Sequence, residues 1–369
     1  MTRPLKIAIY LSDLSGGGAE RLQINLAQFF LDRGMSVEFV LNRAEGPLLA
    51  AVPPGATVVS LKSARALYAL PRLACYLRGQ QPNILLSNLG HNNIIALWAQ
   101  KLARSSAKIV VCQHSVLSRE SASGRFKYRF LPLLYHLFLP WADGIVAVSQ
   151  ATAIDMAQLA KLPIGKITVI YNGVVTSDFD AKAHMPLAHP WFGGAATDVP
   201  VFVSVGRLAD PKDFPSLLRA FAKVVATQPA RLVILGEGPH RHLLKALIAE
   251  LGIGDKVDLV GYQQNPLPFM RLAELVILSS HYEGFAIVLA EALACGTKVV
   301  STDCPYGPAE ILDHGTYGVL VPVSDPAALA EGMLTALNTS ADKAKLEMRG
   351  HEFSMEICGN RYLDLFERM

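Results

Sequence analysis

The sequence predicts an α/β protein built from two doubly wound parallel-sheet units joined by a linker. Three observations lead there. Short continuous apolar runs, such as Leu5–Leu11, Lys108–Cys112 and Val201–Val205, alternate with longer stretches of helical period; strands buried on both faces by helices read this way. The alternation lapses once, from Thr176 to Pro200, where Asp, Gly, Ala, His and Pro dominate, and then restarts. The length, 369 residues, suits two domains of ordinary size. The expected boundaries are 1–176 for the first unit, 177–200 for the linker and 201–350 for the second unit. A final helical segment, 351–369, is expected to pack back on the first unit.

In the first unit Leu5–Leu11 reads as a strand, Ser15 to Gly18 as a turn and Ala19–Arg33 as a helix with Leu22, Leu26, Phe29 and Phe30 on one face. Gly34 stops that helix and Ser36–Leu41 resumes as a strand. Further strands are expected at Thr57–Leu61, Ile84–Ser87, Lys108–Cys112, Gly144–Ser149 and Thr168–Tyr171. In the second unit strands at Val201–Val205, Arg231–Leu235, Val257–Val260, Leu275–Ser279 and Lys298–Thr302 alternate with helices at Phe214–Ala226, His240–Leu251, Leu267–Ala273 and Phe285–Cys295. A helix from Pro326 and one over Lys343–Met369 close the chain. Open sheets of this kind bind ligands beyond the carboxyl ends of their strands. A cleft is therefore expected where the two sheets present those ends to each other.

Composition excludes several classes. Hydrophobic residues make up 51% and charged residues 18%, too apolar for a disordered chain. A net charge of +3 is too small for electrostatics to drive nucleic-acid binding. The five cysteines (75, 112, 295, 304 and 358) are scattered without metal-ligand spacing, so neither a zinc site nor a disulfide framework is expected. The first apolar run leads into Asp13 and three glycines rather than a cleavage site. The run Phe130–Ala142 is shorter than the ~20 residues of a spanning helix. A cytoplasmic protein is expected, one that touches a membrane peripherally.

Two glycine loops invite a dinucleotide reading and fail it. Gly16-x-Gly18-x-x-Arg21 and Gly236-x-Gly238-x-x-Arg241 place arginine where the fingerprint needs a third small residue, and Asn42 stands where a ribose-binding acid would. What remains is that Gly17 and Gly18 let backbone N–H groups approach an anion at a helix start. In Val205-Gly206-Arg207-Leu208-Ala209-Asp210-Pro211-Lys212, two cations five positions apart follow a strand. By itself this reads as a solvated surface pair; beside the other segments it suits a diphosphate, the Arg207 guanidinium bidentately and the Lys212 ammonium as a point charge. Glu283 and Glu291 are eight positions apart, the second on a helix starting near Phe285. The N–H groups of Gly284, Phe285, Ala286 and Ile287 suit phosphate oxygens, and Glu291 can accept two hydrogen bonds from a vicinal diol.

With these segments in place, the sequence resembles glycosyltransferase family 4, the retaining transferases of GT-B fold, over almost its entire length. The resemblance rests on Gly16-Gly17-Gly18-Ala19-Glu20, Val205-Gly206-Arg207-Leu208 with Lys212, Gly236-Glu237-Gly238-Pro239, and Glu283-Gly284-Phe285 through Glu291-Ala292 to Gly296. It implies two Rossmann-like domains facing across a cleft. It implies that Arg207 and Lys212 hold a donor diphosphate, Glu291 the ribose hydroxyls, and Glu283 the donor sugar. Gly261 and Tyr262 would lie near the base, and the N-terminal glycines over the diphosphate. Where many members carry Gly-Gly-x-x-Glu, this chain reads Asp303-Cys304-Pro305-Tyr306-Gly307-Pro308-Ala309-Glu310. That departure resembles the branch that builds lipid-linked glycans from UDP-sugars and weakens a GDP-mannose reading.

His114, at the end of an apolar strand, is the family's position for a donor-sugar contact, and His91 is read as an acceptor-side or helix-capping residue near Asn93. Asp178-Phe179-Asp180 has metal-binding spacing but lies in the linker, so no metal and no cofactor are expected. Arg119, Arg125, Lys127 and Arg129 interleave with aromatics up to Trp141, as in segments that lie on an anionic membrane. The expected partners are a nucleotide-sugar donor, a glycan or lipid-linked glycan acceptor and an anionic membrane surface. The reading that results is transfer of a hexose or N-acetylhexosamine from a UDP-sugar to a polyprenyl-diphosphate-linked glycan. A UDP-sugar 2-epimerase of the same architecture and a non-catalytic glycan-assembly subunit are the alternatives.

Overall fold

The computed structural model describes residues 4–63, 66–118, 130–192 and 199–369. It divides into two compact units, Met1–Gly173 with Met355–Met369, and Val174–Ser354. The first unit holds strands β1 (Lys6–Leu11), β2 (Ser36–Leu41), β3 (Thr57–Ser60), β4 (Ile84–Asn88), β5 (Lys108–Gln113), β6 (Gly144–Ala147) and β7 (Thr168–Val169). They form one parallel sheet in the order β3-β2-β1-β4-β5-β6-β7. Strand β1 shows why its apolar run is unbroken. Ala8 and Tyr10 enter a core with Leu73, Leu97 and Tyr135, while Ile7, Ile9 and Leu11 enter a second core with Leu26, Phe30 and Tyr362. Neither face meets water, so no polar alternation appears.

The second unit holds β8 (Val201–Val205), β9 (Arg231–Leu235), β10 (Val257–Gly261), β11 (Leu275–Leu278), β12 (Lys298–Thr302) and β13 (Val319–Val321). Their order is β10-β9-β8-β11-β12-β13. Helix Phe214–Val225 buries Leu217, Leu218, Phe221 and Val224 against Phe202, Leu232 and Ile277. Strand β13 is absent from the sequence reading; at three residues between Gly318 and Pro322 it is too short to show a period. Each sheet reverses its strand order once, between β1 and β4 and between β8 and β11. Loops leaving the carboxyl ends at such a reversal diverge to opposite faces and leave a crevice for ligands.

Two expectations change. The segment expected as a linker with at most short local structure does hold only one short helix, Phe179–Ala183, but over its described part it belongs to the second unit. Its carbonyls are satisfied there: Asn265 Nδ2 donates to Lys182 O (2.8 Å) and Arg271 Nε to Ala183 O (3.0 Å), and His189 Nε2 lies 3.1 Å from Asp258 Oδ2. The last helix is two helices, Lys343–His351 and Met355–Glu367. At the break, Phe353 O accepts from the N–H groups of Val174 (2.8 Å) and Val175 (3.3 Å). The second of these helices joins the first unit, where Tyr362 Oη lies 3.4 Å from Cys112 Sγ and the Phe366 ring 5.7 Å from that of Phe30.

Helix Lys343–His351 packs on helix Ile287–Ala294 with Gly350 at the contact; a β-carbon there would lie 2.2 Å from Ala294 N. In an open helix Gly→Ala stabilises by ~1 kcal/mol. Here overpacking, at about 1–3 kcal/mol, reverses the sign. Gly350→Ala is expected to lower the melting temperature; a rise in calorimetry would show that the two helices separate without cost.

Candidate active site

In the second unit the loop after β8 runs through Gly206 and Arg207 to a 3₁₀ turn, Asp210–Lys212, and Asp213, at φ 43°, caps helix Phe214–Val225 by accepting from Ser216 N. Three bonds fasten this loop to the neighbouring strand ends. Ser279 Oγ donates to Lys212 O (2.7 Å), His281 N to Pro211 O (2.8 Å), and Leu208 N to Glu237 O (3.0 Å). The glycines permit the close approach. A β-carbon on Gly206 would meet the Lys212 stem at 3.2 Å, and one on Gly236 (φ +145°) would fall 1.9 Å from Gly206 O. The two glycine segments read separately from the sequence thus pack on each other.

Lys212 Nζ meets Glu283 Oε1 at 2.5 Å, with the side chains 23% and 13% exposed. Buried Ser280 donates its hydroxyl to the same Oε1 (2.6 Å). The ion pair sits at the carboxyl ends of β8 and β11, where the strand order reverses. Arg207 is exposed and forms no ion pair among the described residues. The helix after Glu283 starts at Ile287, two residues later than expected, and Phe285 and Ala286 are buried ahead of it. Ile287 N donates to Phe285 O (2.6 Å), so one of the four expected amides is already bonded. Glu291 is partly buried on this helix. Burial, with the Glu291 charge adding, pushes the Cys295 thiol up to about 12. Gly261 ends β10 and accepts from Gly236 N (2.8 Å), and Tyr262 beside it is exposed.

In the first unit helix Gly18–Asp32 starts with Gly17 as its N-cap. The Glu20 carboxylate accepts from the Gly17 N–H, so an internal anion holds an amide that the sequence reading assigns to a ligand. Burial raises the Glu20 carboxyl above its ordinary range, and the Asp13 charge adds to this. Asp13 is itself held by Arg43 Nη2 (3.0 Å) and Ser15 N (3.2 Å). His114 follows β5, and its Nε2 lies 2.8 Å from Asn88 Oδ1. Asn88 Nδ2 donates to Leu86 O (3.4 Å), which turns Oδ1 to the ring. Nε2 therefore carries the proton, and Nδ1, buried without a hydrogen-bond partner among the described residues, presents a lone pair. Burial pushes the imidazole down to about 4. His91 lies in the first turn of helix Gly90–Ala103, whose N-cap is Leu89, so it does not cap a helix at Asn93.

Sequence reasoning names Arg207, Lys212, Glu283, Glu291 and His114 but passes over Ser279, Ser280 and Asn88, which hold three of them. The only signal for these was small polar residues at strand ends. Asp178 pairs with Lys182 (2.8 Å) and accepts from Thr176 Oγ1 (2.6 Å). Partial burial pulls its carboxyl up, but these bonds outweigh it and hold the group below its ordinary range. Among the described residues no group of three His, Cys, Asp or Glu is placed to hold a metal ion, and no helix is long and apolar enough to cross a membrane. Arg119, Arg125, Lys127 and Arg129 lie outside the described residues.

Comparison with known proteins follows the same division. The model for Glycosyltransferase Family 4 matches residues 16–178, and that for glycosyl transferases group 1 matches residues 188–353. The N-acetylgalactosamine-N,N'-diacetylbacillosaminyl-diphospho-undecaprenol 4-alpha-N-acetylgalactosaminyltransferase of Campylobacter jejuni is 28% identical over 364 residues, 94% of this chain and 95% of its own. A lipopolysaccharide core biosynthesis glycosyltransferase of Rhizobium meliloti is 32% identical over 46% of this chain, a match that spans half its own length. The solved structure of Anabaena HepE with UDP and glucose superposes with a TM-score of 0.78 at 21% identity, over 99% of this chain and all of that one. The lipopolysaccharide outer core galactosyltransferase WaaB superposes at 0.76 and 18%, with the same coverage. Two Rossmann-like parallel-sheet domains with these neighbours define the GT-B class. The chain belongs to glycosyltransferase family 4, and it is a glycosyltransferase.

The His114 environment sets a pH dependence. Its pKa is about 4 when folded against an ordinary 6.5, so the unfolded chain binds the proton more tightly. The stability contributed is complete above pH 6.5 and is lost as pH falls toward 4, about 3 kcal/mol in all. His114→Gln is expected to flatten the unfolding free energy across that window. A variant whose acid slope equals that of the wild type would place the titration elsewhere.

Proposed function

We propose that this chain is a retaining glycosyltransferase that moves a hexose or N-acetylhexosamine from a UDP-sugar to a polyprenyl-diphosphate-linked glycan. The observation that carries the reading is the Lys212–Glu283 pair at the carboxyl ends of β8 and β11, with exposed Arg207 on the same loop as Lys212. The Campylobacter relative, named as a transferase acting on a diphospho-undecaprenol acceptor, supports the acceptor class. Complexes of the Anabaena protein with UDP and with UDP-glucose support the donor class.

In this reaction the bond from the sugar C1 to the diphosphate oxygen breaks, and the acceptor hydroxyl oxygen bonds to C1 on the same face. The hydroxyl proton passes to the departing phosphate oxygen. Negative charge grows on the diphosphate as C1 becomes oxocarbenium-like, and exposed Arg207 and partly buried Lys212 stabilise it electrostatically. Their two charges are the reason transfer needs no metal. Glu291 accepts from the ribose hydroxyls, Gly261 and Tyr262 adjoin the base, and Glu283 orients sugar hydroxyls. The His114 Nδ1 lone pair accepts from a hydroxyl of a bound sugar. A lipid-linked acceptor places the enzyme at an anionic membrane surface, on its cytoplasmic side.

The test is nucleotide release from a panel of UDP- and GDP-sugars, with and without lipid-linked acceptor and with and without EDTA. Release from a UDP-sugar that requires acceptor and survives EDTA is expected. An epimerised UDP-sugar formed without acceptor, release from GDP-sugars only, or loss in EDTA reversed by Mg²⁺ would contradict the reading. Arg207→Ala and Lys212→Ala are each expected to lower turnover by roughly a hundredfold; wild-type turnover in folded variants would remove them from the mechanism.

A further inference from the structure

We propose that the first unit docks on an anionic lipid surface through an aromatic face shared by helix Gly90–Ala103 and the segment Leu131–Trp141, with Trp98 and Leu102 on one side and Leu137 and Trp141 on the other. The inference deepens the reading above and rests on it only for the lipid-linked acceptor. Trp98, Phe138 and Trp141 pack edge to face, with ring centroids 5.1, 5.3 and 4.9 Å apart. Such a trio is rigid before it meets anything, so its contact area costs little ordering. It is not sunk into the core. Trp98 is 41% exposed, Leu102 53% and Leu137 49%, while Phe138 and Trp141 are partly buried beneath; large apolar side chains exposed together on neighbouring elements are of the kind that marks an interaction surface.

The rim of the patch chooses the partner. The Lys101 ammonium lies 5.9 Å from the Trp141 ring, Arg104 is exposed at the end of the same helix, and Arg78 Nη2 donates to Leu102 O (3.1 Å). No Asp or Glu occurs in residues 90–104 or 130–142. The bias is wider: from residue 46 to residue 142 the sequence has eleven Lys and Arg and one acid, Glu120, while the whole chain carries only +3. The basic charge is thus gathered in the stretch that carries the face, and the remainder of the chain is net acidic. A second copy of the chain would set like charges against each other. Aromatic rings with a polar edge, an aliphatic skirt and a cationic rim without acids match the boundary between acyl chains and anionic headgroups.

The test uses the full chain and vesicles of phosphatidylcholine with and without phosphatidylglycerol. Wild type is expected to float with the anionic vesicles and less so as salt rises. Brominated lipid is expected to quench Trp98 and Trp141 but not Trp191, resolved through the single Trp→Phe variants. Leu102→Asp with Leu137→Asp, both at exposed positions, is expected to lower vesicle partition tenfold or more while nucleotide release with detergent-dispersed acceptor stays unchanged. Flotation equal to wild type in that variant, unquenched Trp98 and Trp141, or a wild-type dimer that the variant abolishes would overturn the proposal; the last would make the occupant a second copy. The two readings fail separately. A protein that floats through this face but transfers no sugar keeps the docking and loses the function, and one that transfers without floating does the reverse.

Discussion

The ion pair between Lys212 and Glu283 is the contact on which the second unit's site depends, because it joins the ends of two strands that the sheet order separates in sequence. Lys212 is brought there by the loop after β8 and Glu283 by the loop after β11, with the partners 71 positions apart. Neither loop is rigid by composition. The first is held by Ser279 and by the His281 N–H, the second by the Ser280 hydroxyl on the Glu283 carboxylate. Each of these groups leaves the end of β11, so a single strand end positions both members of the pair. Such preorganisation lets a charge act in a transition state without reorganising first.

The pair also decides what a bound anion exchanges for. A partly buried ammonium without a counter-charge carries a desolvation cost that nothing offsets. Glu283 removes that cost in the resting protein. On the proposed reading, a diphosphate at Lys212 would replace one anion by another, and its net gain in binding would be smaller than the charge of the lysine suggests. Exposed Arg207 has no carboxylate partner among the described residues, so an anion that met it would displace none. The same logic appears in the first unit, where the Glu20 carboxylate occupies the Gly17 amide.

Much of the fold was legible because burial on both faces of a parallel sheet leaves unmistakable apolar runs, as in β1 and β5. Strand β13 was not, being three residues long. Nor was the break at Phe353, since helical period continues across it and the interruption comes from backbone bonds to Val174 and Val175. The segment after Thr176 read as linker because its polar composition hides bonds to Asn265 and Arg271, more than eighty positions away. In the site, charged residues at strand ends were readable one by one. Ser280 and Asn88 were not, because a hydroxyl or an amide at a strand end acquires its meaning from the partner it meets. The lone pair on His114 Nδ1 follows from Asn88 alone, 26 positions earlier in the chain.

The central claim is that Glu283 holds the charge of Lys212 until a diphosphate takes it, and then serves the sugar. Titration calorimetry of UDP into wild type and Glu283→Gln tests this most directly, read beside turnover of the same proteins. Removing the carboxylate charge leaves Lys212 free for phosphate, so UDP is expected to bind the variant at least as tightly as wild type while turnover falls. UDP binding that weakens in Glu283→Gln as it does in Lys212→Ala would contradict the account and make Glu283 a support for the fold of the loop.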